Sequence, residues 1–222
     1  MRKPHILYLP SHREIVQEAD MVTLNIDKLK ADQNIKALSE ILTSQWKYES
    51  PMRRRAAEAL GEIGGPRAIP PLITALKEVD PSISRAAEKA LIQIGSPALD
   101  ALIKALRDAD WHVRVGAVHV LGEIGDPKAI KPLIDVLERD RQWSVRSGAA
   151  EALGKLEAEK AVKPLSVILE EDINWEVRLA AAQALGEIGG ANAQKALKRS
   201  LEKEQNYQVR RAVEEALSRA KI

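Results

Sequence analysis

A chain of 222 residues, 45% apolar and 30% charged, has the composition of an ordinary globular protein and is long enough to bury a sizeable core. Its 34 basic and 32 acidic residues leave a net charge of +2, which excludes a global pull toward nucleic acid or an anionic membrane. Cysteine and phenylalanine are both absent, so thiolate and disulfide chemistry are excluded and the core falls to Leu, Ile, Val and Ala.

Residues 1–10 lack helical periodicity, and Pro4 and Pro10 bracket the apolar run HILYL. This reads as an extended arm, either a docking segment for a partner or an arm folded back over the first helices. The short apolar patch is too brief for a secretory leader, and no run approaches the roughly 20 residues a membrane span needs. A cytoplasmic protein is the expectation. Ser11 with Glu14 makes a capping box, which predicts a helix over 12–22 with Ile15, Ala19 and Val22 inward. Asn25 and Asp32 are the next cap candidates, for a short turn of helix at 26–30 and a helix over 33–43. Ile35, Leu38 and Leu42 align with Ile69, Leu72 and Leu76 further on, so 25–51 reads as a shortened first repeat and its linker.

From residue 52 the chain repeats itself. Copies start at Met52, Ile83, Val113, Val145, Val177 and Val209, separated by 31, 30, 32, 32 and 32 residues. A period of this length marks a solenoid of stacked supersecondary units. Counting each start as zero, in the five full copies position 4 is always Ala (Ala56, Ala87, Ala117, Ala149, Ala181) and position 8 always Leu (Leu60, Leu91, Leu121, Leu153, Leu185). That spacing gives one apolar helical face. Position 12 is Gly64, Gly95, Gly125 or Gly189, with Glu157 the exception, and glycine there ends a helix in the left-handed region. Pro66, Pro97 and Pro127 follow, where a helix should restart. The second helix carries its own stripe, as in Ile130, Leu133, Ile134 and Leu137. Neither helix buries its stripe alone, so stability runs along the stack. The expected fold is all-α, a right-handed α-solenoid of helical hairpins in one continuous domain. Residues 1–24 are its N-terminal arm and capping helix, 25–51 a shortened repeat, 52–208 five full repeats and 209–222 a C-terminal capping helix.

The motif VRxxAAxALGxIG followed by AIxPLIxxL resembles the HEAT-like repeats named after the phycocyanobilin (PBS) lyase family, over 52–222 and more loosely over 25–51. The resemblance implies a solenoid whose second helices line a concave face. Its members include bilin lyases and scaffolds. A related family, the deoxyhypusine hydroxylases, binds iron through His-Glu dipeptides. Here the four histidines are followed by Ile6, Arg13, Val113 and Val120, which removes that metal reading. His112 and His119 lie seven residues apart, about 10 Å along a helix and too far for one metal.

Three features are candidates for binding. Trp111, Trp143, Trp175 and Tyr207 each stand two residues before a repeat start, with Pro81 in the same place earlier and Trp46 and Tyr48 in the first turn. They form either an aromatic ridge able to clamp arginine, proline-rich peptide or unpaired bases, or a set of rings covering helix starts. Arg53, Arg114, Arg146, Arg178 and Arg210 stand one residue into their copies, after turns rich in Asp and Glu. They read as a repeated structural clasp or as phosphate ligands. On the second helices the charges alternate in sign, unlike the uniform basic stripe of a nucleic-acid groove. Lys104, Arg107 and Lys131 are the densest basic group, with Asp100 and Asp135 beside them. No catalytic constellation and no cofactor or metal motif is present in this pattern. The expected function is therefore a non-enzymatic scaffold that binds a protein or peptide along the concave face or the aromatic edge. The alternatives are a bilin-lyase-like or chaperone subunit acting on a tetrapyrrole protein, and a nucleic-acid binder.

Overall fold

The computed structural model describes residues 25–219, which form thirteen α-helices and no strand. The expected arm at 1–10 and helix at 12–22 lie outside the described residues. In order the helices are α1 (Ile26–Ala31), α2 (Ile35–Thr43), α3 (Ser50–Ile63), α4 (Ile69–Ala75), α5 (Pro81–Ile94), α6 (Leu99–Ala105) and α7 (Trp111–Ile124). They continue with α8 (Ile130–Arg139), α9 (Trp143–Lys155), α10 (Val162–Glu171), α11 (Trp175–Ile188), α12 (Gly190–Leu201) and α13 (Tyr207–Arg219). From α3 onward the odd helices are the first helices of the repeats and the even ones the second.

Local chemistry sets the boundaries. Asn25 caps α1 by accepting from the Asp27 and Lys28 amides. Asn34, not Asp32, caps α2, because the chain reverses at Gln33, which takes φ 50°. The turn after each first helix needs the same left-handed backbone. Gly125 adopts φ 75°, and Glu157 in the next copy still adopts φ 46° without glycine's freedom. Pro97 and Pro127 do not open α-helices directly. Each sits in a single 3-10 turn, Ser96–Ala98 and Pro127–Ala129, from which α6 and α8 then run.

The core lies between the two helical layers. Ala56, Ala87, Ala117, Ala149 and Ala181 and the five leucines at position 8 are fully buried. Leu72, Leu102, Leu133 and Leu165 face them from the second helices and are equally buried. The first helices also touch one another closely. A methyl group placed on Gly61, Gly122, Gly154 or Gly186 would fall 2.6, 2.9, 3.1 or 2.6 Å from the β-carbon of Ala90, Ala152, Ala184 or Ala216. The second helices stand further apart. A stack bends toward its tighter layer, so the first helices line the inner face. This reverses the expectation that the second helices do so. Among the described residues no helix is long and apolar enough to cross a membrane.

Candidate functional site

The turns that lead into the first helices form one edge of the stack. Trp111, Trp143, Trp175 and Tyr207 are the first helical residues of α7, α9, α11 and α13, the place Pro81 takes in α5. The residues before them supply caps: Asp110 accepts from the His112 amide, Asn174 from Glu176 and Asn206 from Gln208. The rings are unequal. Trp111 and Trp143 are about two-fifths exposed, Tyr207 is 75% exposed, and Trp175 packs against the core. Trp111 stacks on His112 with centroids 3.7 Å apart. Trp46, Val79 and Ile173 project from the same edge almost wholly into solvent. Trp46, Tyr48, Arg53 and Val79 border a hollow of about 420 Å³ at its first turn.

Behind this edge runs the arginine series. Arg114 donates Nε and Nη2 to Asp140 at 2.7 and 2.9 Å, Arg146 does the same to Asp172, and Arg178 to Glu204 at 2.7 and 3.0 Å. Each carboxylate lies 26 residues ahead, in the turn after the arginine's own hairpin. The preceding turn contributes only carbonyls: Arg114 Nη1 donates to Asp108 and Arg146 Nη1 to Asp140, both at 2.9 Å. The clasp expected from the sequence is present, but it closes forward rather than backward. These guanidinium groups are engaged with protein acceptors, which leaves no row of open phosphate ligands. Burial pushes the Asp140 carboxyl up, but hydrogen bonds from Arg114 and the Gln142 amide, with both arginine charges, hold it below its ordinary value. Glu204 is held down in the same way by Arg178 and the Asn206 amide.

The inner face carries two adjoining grooves. One, of about 260 Å³, runs between α7 and α9. Trp143 walls it, Gly122, Gly148 and Ala152 line it, and Glu88, His119, Glu151 and Lys155 supply its charges. The buried Ser144 hydroxyl at this wall has no hydrogen-bond partner among the described residues. The second groove, of about 330 Å³, shares Glu151 and Lys155 and continues over Ala180, Ala184 and Glu187 toward α13. His119 Nδ1 lies 3.2 Å from Glu88 Oε2, and Lys155 pairs with Glu123. The hydrogen bond to Glu88 raises the His119 imidazole above its ordinary value, with burial opposing. Lys104, Arg107, Lys131 and Asp135 stand elsewhere. They are exposed on or just beyond α6 and on α8, the outer layer, and form no ion pair among the described residues. Of the sequence candidates, only Trp143 borders an inner groove. His119, Glu151 and Lys155 were missed there, and their shared signal was position: they occupy the exposed sixth and tenth places of successive copies.

Comparison with known proteins places this geometry. A model described as HEAT repeats matches residues 79–154 and 130–218, and one described as PBS lyase HEAT-like repeat matches 52–78. Among curated proteins none matches at a significant level. A chain from the complex of CpcE and CpcF of phycocyanin lyase from Nostoc sp. PCC7120 is 29% identical, with a TM-score of 0.63 over 67% of this chain and 97% of that one. Human deoxyhypusine hydroxylase is 24% identical, with a TM-score of 0.50 over 88% of this chain and 76% of that one. A computationally designed armadillo repeat protein for modular peptide recognition is 21% identical, with a TM-score of 0.50 over 82% and 98%. The last two show the fold alone. The lyase likenesses overturn the expectation that the chain is not an enzyme. That expectation rested on the absence of a compact catalytic motif, and a groove assembled from several repeats leaves no such motif in any local stretch.

Proposed function

The chain belongs to the HEAT-repeat family, and on that premise we propose that it is a lyase-type solenoid subunit. It holds an open-chain tetrapyrrole in the inner grooves and engages the acceptor protein along the turn edge. The observation that carries this reading is the likeness to a phycocyanin lyase subunit, which extends over 97% of that chain. The inner face supplies suitable chemistry. A conjugated pigment is flat and apolar at its centre, which suits the Trp143 wall and the Gly and Ala lining. Its carboxylates suit Lys155 and protonated His119, where they compete with Glu123 and Glu88. The exposed Trp46, Val79, Ile173 and Tyr207 are apolar anchors for a protein surface.

The test is a titration of the purified protein with free bilin, followed by visible absorbance. Binding shifts the pigment spectrum, and Trp143→Ala weakens it about tenfold, or ~1.4 kcal/mol. The same variant melts within a few degrees of the parent, since Trp143 is 41% exposed. A pigment spectrum unchanged at saturating protein, or a Trp143→Ala variant that binds the pigment as tightly as the parent, removes the proposal.

A further inference from the structure

Departures from the repeat pattern converge on one junction, between α5 and α7. At every other junction of the first helices a glycine at position 9 meets an alanine at position 7, and the backbones nearly touch. At this one Ile92 and Val120 hold those places. Two branched side chains where the others have a hydrogen and a methyl push the helices apart, and α5 and α7 have the loosest packing of the layer. α7 leans instead on Leu76, at the end of α4, whose Cδ2 lies 3.0 Å from where a Gly116 methyl would stand. The arginine clasp is missing as well. Ser84 stands in place of the arginine, so Asp108, 24 residues on, is exposed instead of being gripped. The copy is also the shortest, at 30 residues.

Across this weakened junction runs one polar side-chain contact among the described residues, His119 of α7 to Glu88 of α5. We propose that the α5–α7 junction is a hinge between two rigid blocks, 26–106 and 111–219, and that the His119–Glu88 contact is its latch. The groups facing His119 are Glu88 on α5, Glu123 on its own helix, and Glu151 and Lys155 on α9. Carboxylates outnumber the one cation, so the environment favours the charged imidazole, in keeping with its raised pKa. A group raised in the folded state contributes while it is protonated. The latch is closed at mildly acidic pH and is lost as pH rises through the folded-state value. Glu88 and Trp143 border the same groove, so the hinge sets that groove's width. The hinge involves no ligand and is independent of the bilin reading.

Because the chain has no cysteine, spin-label pairs can be placed without background. Lys36→Cys with Lys131→Cys spans the junction, and Lys131→Cys with Lys195→Cys lies within the second block; all three sites are exposed. Between about pH 6 and about pH 9, across histidine's titration, the spanning distance distribution broadens and shifts while the internal one stays fixed. His119→Ala gives the broad distribution at both pH values. Ser84→Arg combined with Ile92→Gly and Val120→Ala gives the narrow one at both. A spanning pair that ignores pH, an internal pair that changes equally, or a pH response that survives His119→Ala overturns the proposal.

Discussion

Asp140 shows how much one side chain does in this stack. Its carboxylate accepts both forks of Arg114 and the Gln142 amide, while its carbonyl accepts from Arg146. It therefore caps its own turn and joins two successive hairpins. Removing one partner leaves the other half-buried and unsatisfied, so Arg146→Ala or Asp172→Ala costs about 1–3 kcal/mol in urea unfolding. The two changes made together cost much less than their sum, because the second removes a group already stranded. Equal additivity in that double-mutant cycle would show that the pair carries nothing. The same carboxylates set the acid limit. Asp140 and Glu204 are held below their ordinary values, so they contribute stability above the unfolded carboxylate range and lose it as pH falls through the lower folded values. Arg114→Gln removes the main influence holding Asp140 down. The variant's stability deficit relative to the parent is therefore expected to be largest near neutral pH and to shrink in acid, below about pH 4. Melting temperatures across that range check the sign.

At the scale of the element, the glycines of the first helices are contact surfaces rather than hinges. Gly154 faces the Ala184 Cα, 2.9 Å from where a methyl would sit, and a backbone atom cannot swing aside. Gly154→Ala gains helix propensity of about 1 kcal/mol yet is expected to destabilise on balance, by about 1–3 kcal/mol of overpacking. Ser84→Arg runs the other way. It restores the missing grip on Asp108 and is expected to raise the melting point by about 2–4 °C for each kcal/mol gained. No gain would mean that the short copy holds Asp108 out of reach. The hairpins themselves were legible in the sequence, because Ala at position 4, Leu at position 8 and Gly at position 12 act within one helix. Pro81 likewise marked the rings at 111, 143, 175 and 207 as helix starts. What was not legible acts across copies. Arg114 has acidic residues directly before it and chooses one 26 residues ahead, because stacking, not sequence distance, brings Asp140 beside it. The inner face was misassigned for the same reason. It follows from Gly122 meeting Ala152, a pair 30 residues apart that no helical periodicity connects.

For the whole molecule, stability is close to a sum of hairpin terms and nearest-neighbour interfaces. Such a stack need not unfold as one unit, and it breaks first where an interface is weakest. Four interfaces of the first-helix layer carry a Gly–Ala contact, and the α5–α7 interface carries Ile92 against Val120 without an arginine clasp beside it. The lyase resemblance was legible in the repeat motif, but the groove was not: Glu88, His119, Trp143 and Lys155 come from three helices and meet only when the stack is assembled. Native-state hydrogen exchange should reveal the division. Amides of α3 and α5 are expected to exchange through one opening free energy, and those of α7, α9 and α11 through a second, higher one, since the latter block holds three consecutive bidentate clasps. Denaturant moves each set toward its own limit, and Ser84→Arg brings the two limits together. A single free energy shared by all five helices would mean that the α5–α7 interface transmits cooperativity as fully as its neighbours, and that packing of α7 on Leu76 compensates for the missing clasp.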